Sequence, residues 1–316
     1  MDRRDFLKLG MMSAAIAGLP LELRAEEKPQ KVSSLPVFST DGNKIKLLQA
    51  GLKKTRILVL ADSHLSIDDE RGVPYQDYSR RMAQYFGQSV QNLEKVTVAA
   101  RKQKYDLILM LGDMVSFPTA KGVETILAKI QPLETPFAYI AGNHDWHYEG
   151  EEGTEVDLRK KWTAKTLAPL YQGRNPLCYN VIVNGINIVL MDTSIYEILP
   201  EQLEFWRAQV KAGLPTLLGC HIPLWIPGRS VSWGVGHPDW NAAHDKNWQI
   251  ERRPRWPEAG HTDTTKAFQQ EVLSAPNLLG VVAGHVHRQC YDRYGGKFQI
   301  TSQATGFGGM LDISLN

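Results

Sequence analysis

Five apolar, β-rich runs in this chain each break off into residues that can bind a cation, and that pattern limits what it can fold into. "TRILVLADSHL" (55–65) leads to Asp62 and His64, "YDLILMLGDM" (105–114) to Gly112 and Asp113, and "PFAYIAGNHD" (136–145) to Gly142, Asn143, His144 and Asp145. "LPTLLGCHIPL" (214–224) leads to His221, and "NLLGVVAGHVHR" (277–288) to Gly284, His285 and His287. Between the runs, apolar residues three and four apart predict helices at about 77–103, 119–130, 155–170, 200–212 and 264–275. Asn184-Gly185 and Gly295-Gly296 each join two strand-like runs into a hairpin. Strands alternating with helices, then hairpins, describe an α/β protein with a mixed central pair of sheets and helices outside. There is no internal repeat. The expected organisation is one domain over 55–316, a lead-in over 26–54, and a long irregular insertion near 225–262.

In α/β sheets, ligands collect beyond the carboxyl ends of the strands, where loops fan out above a rigid scaffold. Taken singly, each residue has a plainer reading. His221 alone reads as a satisfied core histidine, Asp62 or Asp113 alone as a turn residue or helix cap, and Asn143 alone as a turn former. Five coincidences are needed to keep all of these readings, so they fail together. Carboxylate, amide oxygen and imidazole without thiolate suit two divalent first-row metals, not a closed structural zinc site.

The order "DSH" (62–64), "GD" (112–113), "GNHD" (142–145), "GCHIP" around His221 and "GHVH" (284–287) resembles the calcineurin-like metallophosphoesterase superfamily. The resemblance implies two packed mixed β-sheets flanked by helices, with a two-metal centre of Mn, Fe, Zn or a mixture at one edge. It implies that Asp62, His64 and His287 hold the first metal, that Asn143, His221 and His285 hold the second, and that Asp113 bridges them. His144 is then the general acid, oriented by Asp145, while Gly142 and Gly284 stand where the backbone turns sharply. The implied reaction is hydrolysis of a phosphate mono- or diester by a metal-bridging hydroxide, with the metals roughly 3.5–4 Å apart. One departure is "GDMVS", which places Ser116 where many members of the superfamily carry an aspartate.

Net charge of +2, 43% hydrophobic and 22% charged residues are ordinary globular values and give no sign of nucleic-acid binding. No apolar run is long enough to span a bilayer. Residues 1–25, with Arg3-Arg4 ahead of "FLK", a short apolar stretch and "LRA", look like a twin-arginine export signal. That implies a periplasmic or otherwise exported protein and a transient partner in the export machinery, with no anchor after cleavage. Cys178, Cys220 and Cys290 are too few for a disulfide scaffold and read as buried thiols.

The insertion is the place to look for substrate contacts. It carries five tryptophans and the cluster "ERRPRW". Arg252, Arg253 and Arg255 are candidates for a phosphate, and Trp225 and Trp240 for a base or sugar face. The plainer reading is a loop that uses its tryptophans as a satellite core. His147 is expected at the rim of the site, and His237, His244 and His261 at the surface or rim. Expected substrates are a phosphorylated small molecule, a nucleotide or a sugar- or lipid-linked phosphate. The alternatives are a pyrophosphohydrolase of such diphosphates, and, in another class, a metal-binding scaffold without catalysis; retention of His144 and Asp145 speaks against the scaffold.

Overall fold

All five residues of Leu107–Leu111 are shielded from solvent, as a strand covered on both faces must be. The computed structural model describes residues 37–246, 248 and 258–316. The expected export signal at 1–25 and the arginines Arg252, Arg253 and Arg255 lie outside these residues.

Two six-stranded mixed sheets pack together, flanked by helices. The first contains β1 (Val37–Asp41), β2 (Lys44–Leu48), β3 (Thr55–Leu60), β4 (Leu107–Leu111), β5 (Phe137–Ile140) and β12 (Leu311–Leu315), ordered β1-β2-β12-β3-β4-β5. The second contains β6 (Cys178–Val183), β7 (Ile186–Met191), β8 (Thr216–Cys220), β9 (Leu278–Ala283), β10 (Cys290–Tyr294) and β11 (Lys297–Thr301), ordered β10-β11-β9-β8-β7-β6. Strands β3, β4 and β5 run parallel, as do β7, β8 and β9, so each sheet aims a set of carboxyl ends one way. At the interface a Cβ on Gly219 of β8 would sit 3.0 Å from Leu111 of β4, which shows how closely the sheets approach.

The helices are α1 (Gln76–Met82), α2 (Ser89–Ala100), α3 (Ala120–Ile130), α4 (Glu155–Trp162), α5 (Ala168–Tyr171), α6 (Pro200–Ala212) and α7 (Asp263–Ser274). Helix α3 buries Val123, Ile126 and Ile130 along one face, and the Thr119 hydroxyl accepts the Gly122 N–H at its start. Asn184 (φ 51°) and Gly185 (φ 82°) turn β6 into β7, the left-handed pair that a two-residue hairpin requires.

Three expectations need correction. The helix expected over 77–103 is broken by a tight turn at Gln84–Phe86, which lays the Phe86 ring on His64 (centroids 4.2 Å, interplanar 13°). The described part of the lead-in, from Val37, supplies β1 and β2, joined across Gly42-Asn43, with β2 paired to β12. Its pattern is hard to read because one face is wet: Ile45 and Leu47 are buried while Lys44, Lys46 and Leu48 are exposed. The helix expected over 155–170 holds a wider π-helical turn at Thr163–Leu167 between α4 and α5.

Candidate metal centre

Asp62, His64, Asp113, His285 and His287 all have positive φ, between 46° and 70°. Such backbone costs a non-glycine residue on the order of 1–3 kcal/mol and persists only where its surroundings enforce it. Here hydrogen bonds between strand ends enforce it. The Asp62 N–H donates to Gly112 O (3.0 Å), the His64 N–H to Asp113 O (2.9 Å), and the His285 N–H to Asp62 Oδ1 (2.9 Å). The strain therefore sits on the candidate ligands and not on Gly142 or Gly284. Those two glycines are needed for a different reason: an added Cβ at Gly284 would lie 2.8 Å from Asp62 Oδ2, and one at Gly142 would collide with the Asp113 carboxylate.

The seven candidate ligands gather into one place. Asp62, His64, Asp113 and His287 form one group that could hold a metal ion, and Asp113, His221 and His285 form another. Asp113 belongs to both: its Oδ2 is 3.2 Å from His221 Nε2 and 3.5 Å from His64 Nε2. His64 Nε2 and His287 Nε2 are 3.2 Å apart, and His287 Nε2 is 3.6 Å from Asp62 Oδ1. The Asn143 amide oxygen lies 3.1 Å from His221 Nε2. Donors held about 2.0–2.2 Å from one cation stand roughly 3–4 Å from each other, so these separations fit metal binding. His221 Nδ1 lies 2.8 Å from the Leu111 carbonyl and donates to it, which leaves Nε2 as the ligand nitrogen.

Charge leads to the same conclusion. Asp62, Asp113 and Asp145 are fully buried and close together. Burial pushes the Asp62 carboxyl up to about 8; His221 opposes this and Asp113 adds to it. Burial also raises Asp145, with Asp113 repelling it, to about 7. Burial would lower the His221 imidazole, but the adjacent Asp113 overrides it and brings it up to about 10. Buried carboxylates crowded in this way call for cationic partners.

His144 stands apart from the ligand groups. It is half-buried and lines the cleft, its ring 5.0 Å from that of His64 and its N–H donating to Asp113 Oδ1 (2.8 Å). Asp145 also holds the backbone beside that imidazole. Its Oδ2 accepts the Gly142 N–H (2.8 Å) and its Oδ1 the Val115 N–H (3.0 Å), so it pins the turn and the loop that follows β4. Ser116, the departure from the family pattern, donates its hydroxyl to the His64 carbonyl (3.1 Å) and so ties down the loop carrying that ligand.

The cleft over these residues has a volume of about 600 Å³. Its far wall comes from the start of the insertion: the Arg229 guanidinium lies 4.2 Å over the Trp233 ring and Arg229 Nε donates to Asp292 Oδ1 (2.9 Å). Arg288, exposed, and the half-buried Cys290 complete the lining. Sequence reading missed Arg229, Trp233 and Arg288, although the position of Arg288 directly after the last ligand was a usable signal. Cys290 also departs from the expectation of a buried thiol, which Cys178 and Cys220 meet.

The expected substrate contacts fare differently. Trp240 is buried, flat against Tyr196 and His261, and packs with Trp248 as a satellite core among the described residues of the insertion. Trp225 is half-buried, its indole donating to Arg229 O (2.9 Å). His147 is buried behind His144 against Trp146 and is not at the rim. His237 and His261 are also buried, while His244 is exposed.

Buried carboxylates grouped with imidazoles beyond parallel strand ends form a donor set that could hold divalent metal ions. Residues 55–289 match the calcineurin-like phosphoesterase family, and the chain belongs to it. It is 26% identical over 203 residues to a protein of Psychrobacter sp. (strain PRwf-1) named "Probable cyclic nucleotide phosphodiesterase". That match covers 64% of this chain and 52% of the relative, so the chain spans about half the relative's length. Among solved structures it is similar to a dimetal phosphatase from Danio rerio, with TM-score 0.51, 13% identity, and coverage of 79% of this chain and 88% of that one. A phosphopantetheinyl hydrolase from Mycobacterium tuberculosis superposes with TM-score 0.41 and 12% identity over 80% of this chain and 90% of that one.

Proposed function

We propose that the protein is an exported two-metal phosphodiesterase in which His144 protonates the leaving oxygen. The observation that carries this reading is Asp113 Oδ2, placed between His221 Nε2 and His64 Nε2 while His144 lines the same cleft outside both ligand groups. Asp62, His64, His287 and Asp113 would hold one divalent cation, and Asp113, Asn143, His221 and His285 the other. Two divalent cations held by these residues would supply neutralisation of phosphoryl charge and a water of lowered pKa. The chain's own residues do the rest. Asp113 fixes the His144 backbone beside the ligands, and the half-buried imidazole can hand a proton to the departing alkoxide.

A diester is favoured over a monoester because the cleft continues past the ligands to the Arg229–Trp233 wall and Arg288, which gives room for a second substituent. The relative named as a phosphodiesterase supports the same choice. The test is hydrolysis by Mn²⁺-loaded protein of bis-p-nitrophenyl phosphate, p-nitrophenyl phosphate, a cyclic nucleotide and a nucleoside diphosphate. Diesters should be turned over fastest and a chelator should stop the reaction. Preference for the diphosphate would favour pyrophosphohydrolysis, and no hydrolysis of any of the four would sink the reading.

Export rests on Arg3-Arg4 and "FLK". Replacing both arginines by lysine should hold the protein in the cytoplasm on cell fractionation. Unchanged export would reject the twin-arginine route.

A further inference from the structure

Tyr196 lies beyond the carboxyl end of β7, a sixth strand end next to the five that carry ligands. Its side chain is fully buried, and its hydroxyl is 2.6 Å from His285 Nε2. Its φ of 62° is costly for an aromatic residue, so its surroundings must hold it there.

Those surroundings form a closed stack of rings. Trp240, from the insertion, lies flat on Tyr196 (centroids 5.1 Å, interplanar 8°), and His261 lies flat on Trp240 (4.3 Å, 14°). His261 Nδ1 is 2.9 Å from Glu197 Oε1, and Glu197 directly follows Tyr196. The stack thus returns to the backbone from which it started. Glu197 Oε2 accepts from the Thr262 N–H (3.1 Å), the Thr262 hydroxyl (2.8 Å) and the Thr265 hydroxyl, which fixes the start of α7 to the same point. Trp240 Nε1 donates to Asp245 Oδ2 (3.1 Å), and Asp245 Oδ1 accepts from the Ser232 hydroxyl at the cleft wall.

We propose that Tyr196 is a positioning residue for the metal ligand His285, and that Trp240 and His261 of the insertion are the brace that holds it in place. This rests on Asp113, His221 and His285 being a cation site. An imidazole offers a cation only the nitrogen that carries no proton, and the partner of its other nitrogen decides which one that is. With the Tyr196 hydroxyl oxygen accepting from Nε2–H, Nδ1 is the nitrogen presented. Tyr196 is buried and so cannot face substrate; its effect on the reaction passes through His285.

The test is titration of the metal-stripped full chain with Mn²⁺ by calorimetry, with thermal melts of the metal-free protein alongside. Tyr196→Phe keeps the ring and its stack and removes one oxygen. It should weaken one of two binding events by about 10–100-fold, the range for loss of an outer partner of a ligand, and leave the other event unchanged, the metal-free melt falling by no more than the loss of one buried hydrogen bond. His285→Ala should abolish the same event. Trp240→Leu, checked as folded by circular dichroism, should weaken it as well. If His285→Ala leaves both events intact, the cation site itself is wrong and the brace goes with it. If His285→Ala removes one event while Tyr196→Phe binds like wild type, the site stands and the positioning role is overturned. Wild-type affinity in folded Trp240→Leu would overturn the part assigned to the insertion.

Discussion

His144→Ala should keep the full complement of metal and lose turnover by roughly 10²–10⁴-fold on esters whose leaving group is an alkoxide. Metal should stay because His144 is in neither ligand group and its N–H bond to Asp113 belongs to the backbone, which the substitution spares. Turnover should fall because an alkoxide leaves poorly without a proton. Against a p-nitrophenyl ester the loss should be much smaller, since that phenolate departs unaided. Metal content measured beside rates on both substrate types decides the matter. Equal losses on the two esters, or loss of metal, would return His144 to a structural or ligand role. Asp145→Asn separates the neighbouring residue from this chemistry. Its carboxylate accepts two buried backbone N–H groups, and an amide can accept from only one side. The stranded donor costs about 1–3 kcal/mol. The variant should therefore melt earlier and lose rate equally on good and poor leaving groups.

That contrast shows where the sequence could be read and where it could not. Parallel strands buried on both faces must be apolar along their whole length, so β3, β4, β5, β8 and β9 stood out, and a ligand just past each run was visible. The backbone role of Asp145 went unseen because adjacency in sequence pointed only to a partnership with His144. The turn folds the carboxylate back onto the amide of Gly142, three residues earlier. Phe86 and Tyr196 carried no usable pattern, because each reaches its histidine from a segment whose course depends on tertiary packing. The insertion looked like a single substrate-covering loop. Its described residues divide instead into a short cleft wall ending at Trp233 and a packed body around Trp240, a division that depends on burial and not on composition.

Asp113→Ala should cost the protein both metals, whereas His287→Ala should chiefly weaken one. The difference follows from position. Asp113 Oδ2 faces the imidazoles of both groups across 3.2 and 3.5 Å, while His287 belongs to one group and its side chain is 32% exposed at the rim. Removing the shared carboxylate also removes charge that both sites use, and the remaining donors are mostly neutral imidazoles. Activity should fall by more than the roughly 10²–10³-fold that loss of a single charge-stabilising donor costs, because stabilisation from both cations goes together. Added Mn²⁺ should raise the melting temperature of the wild-type protein, since an ion that binds only the folded chain stabilises it, and should leave that of Asp113→Ala unmoved. Elemental analysis of the desalted proteins gives the count directly. One ion retained in Asp113→Ala, with a melting temperature that still responds to Mn²⁺, would place Asp113 in a single site and end the two-metal reading of this centre.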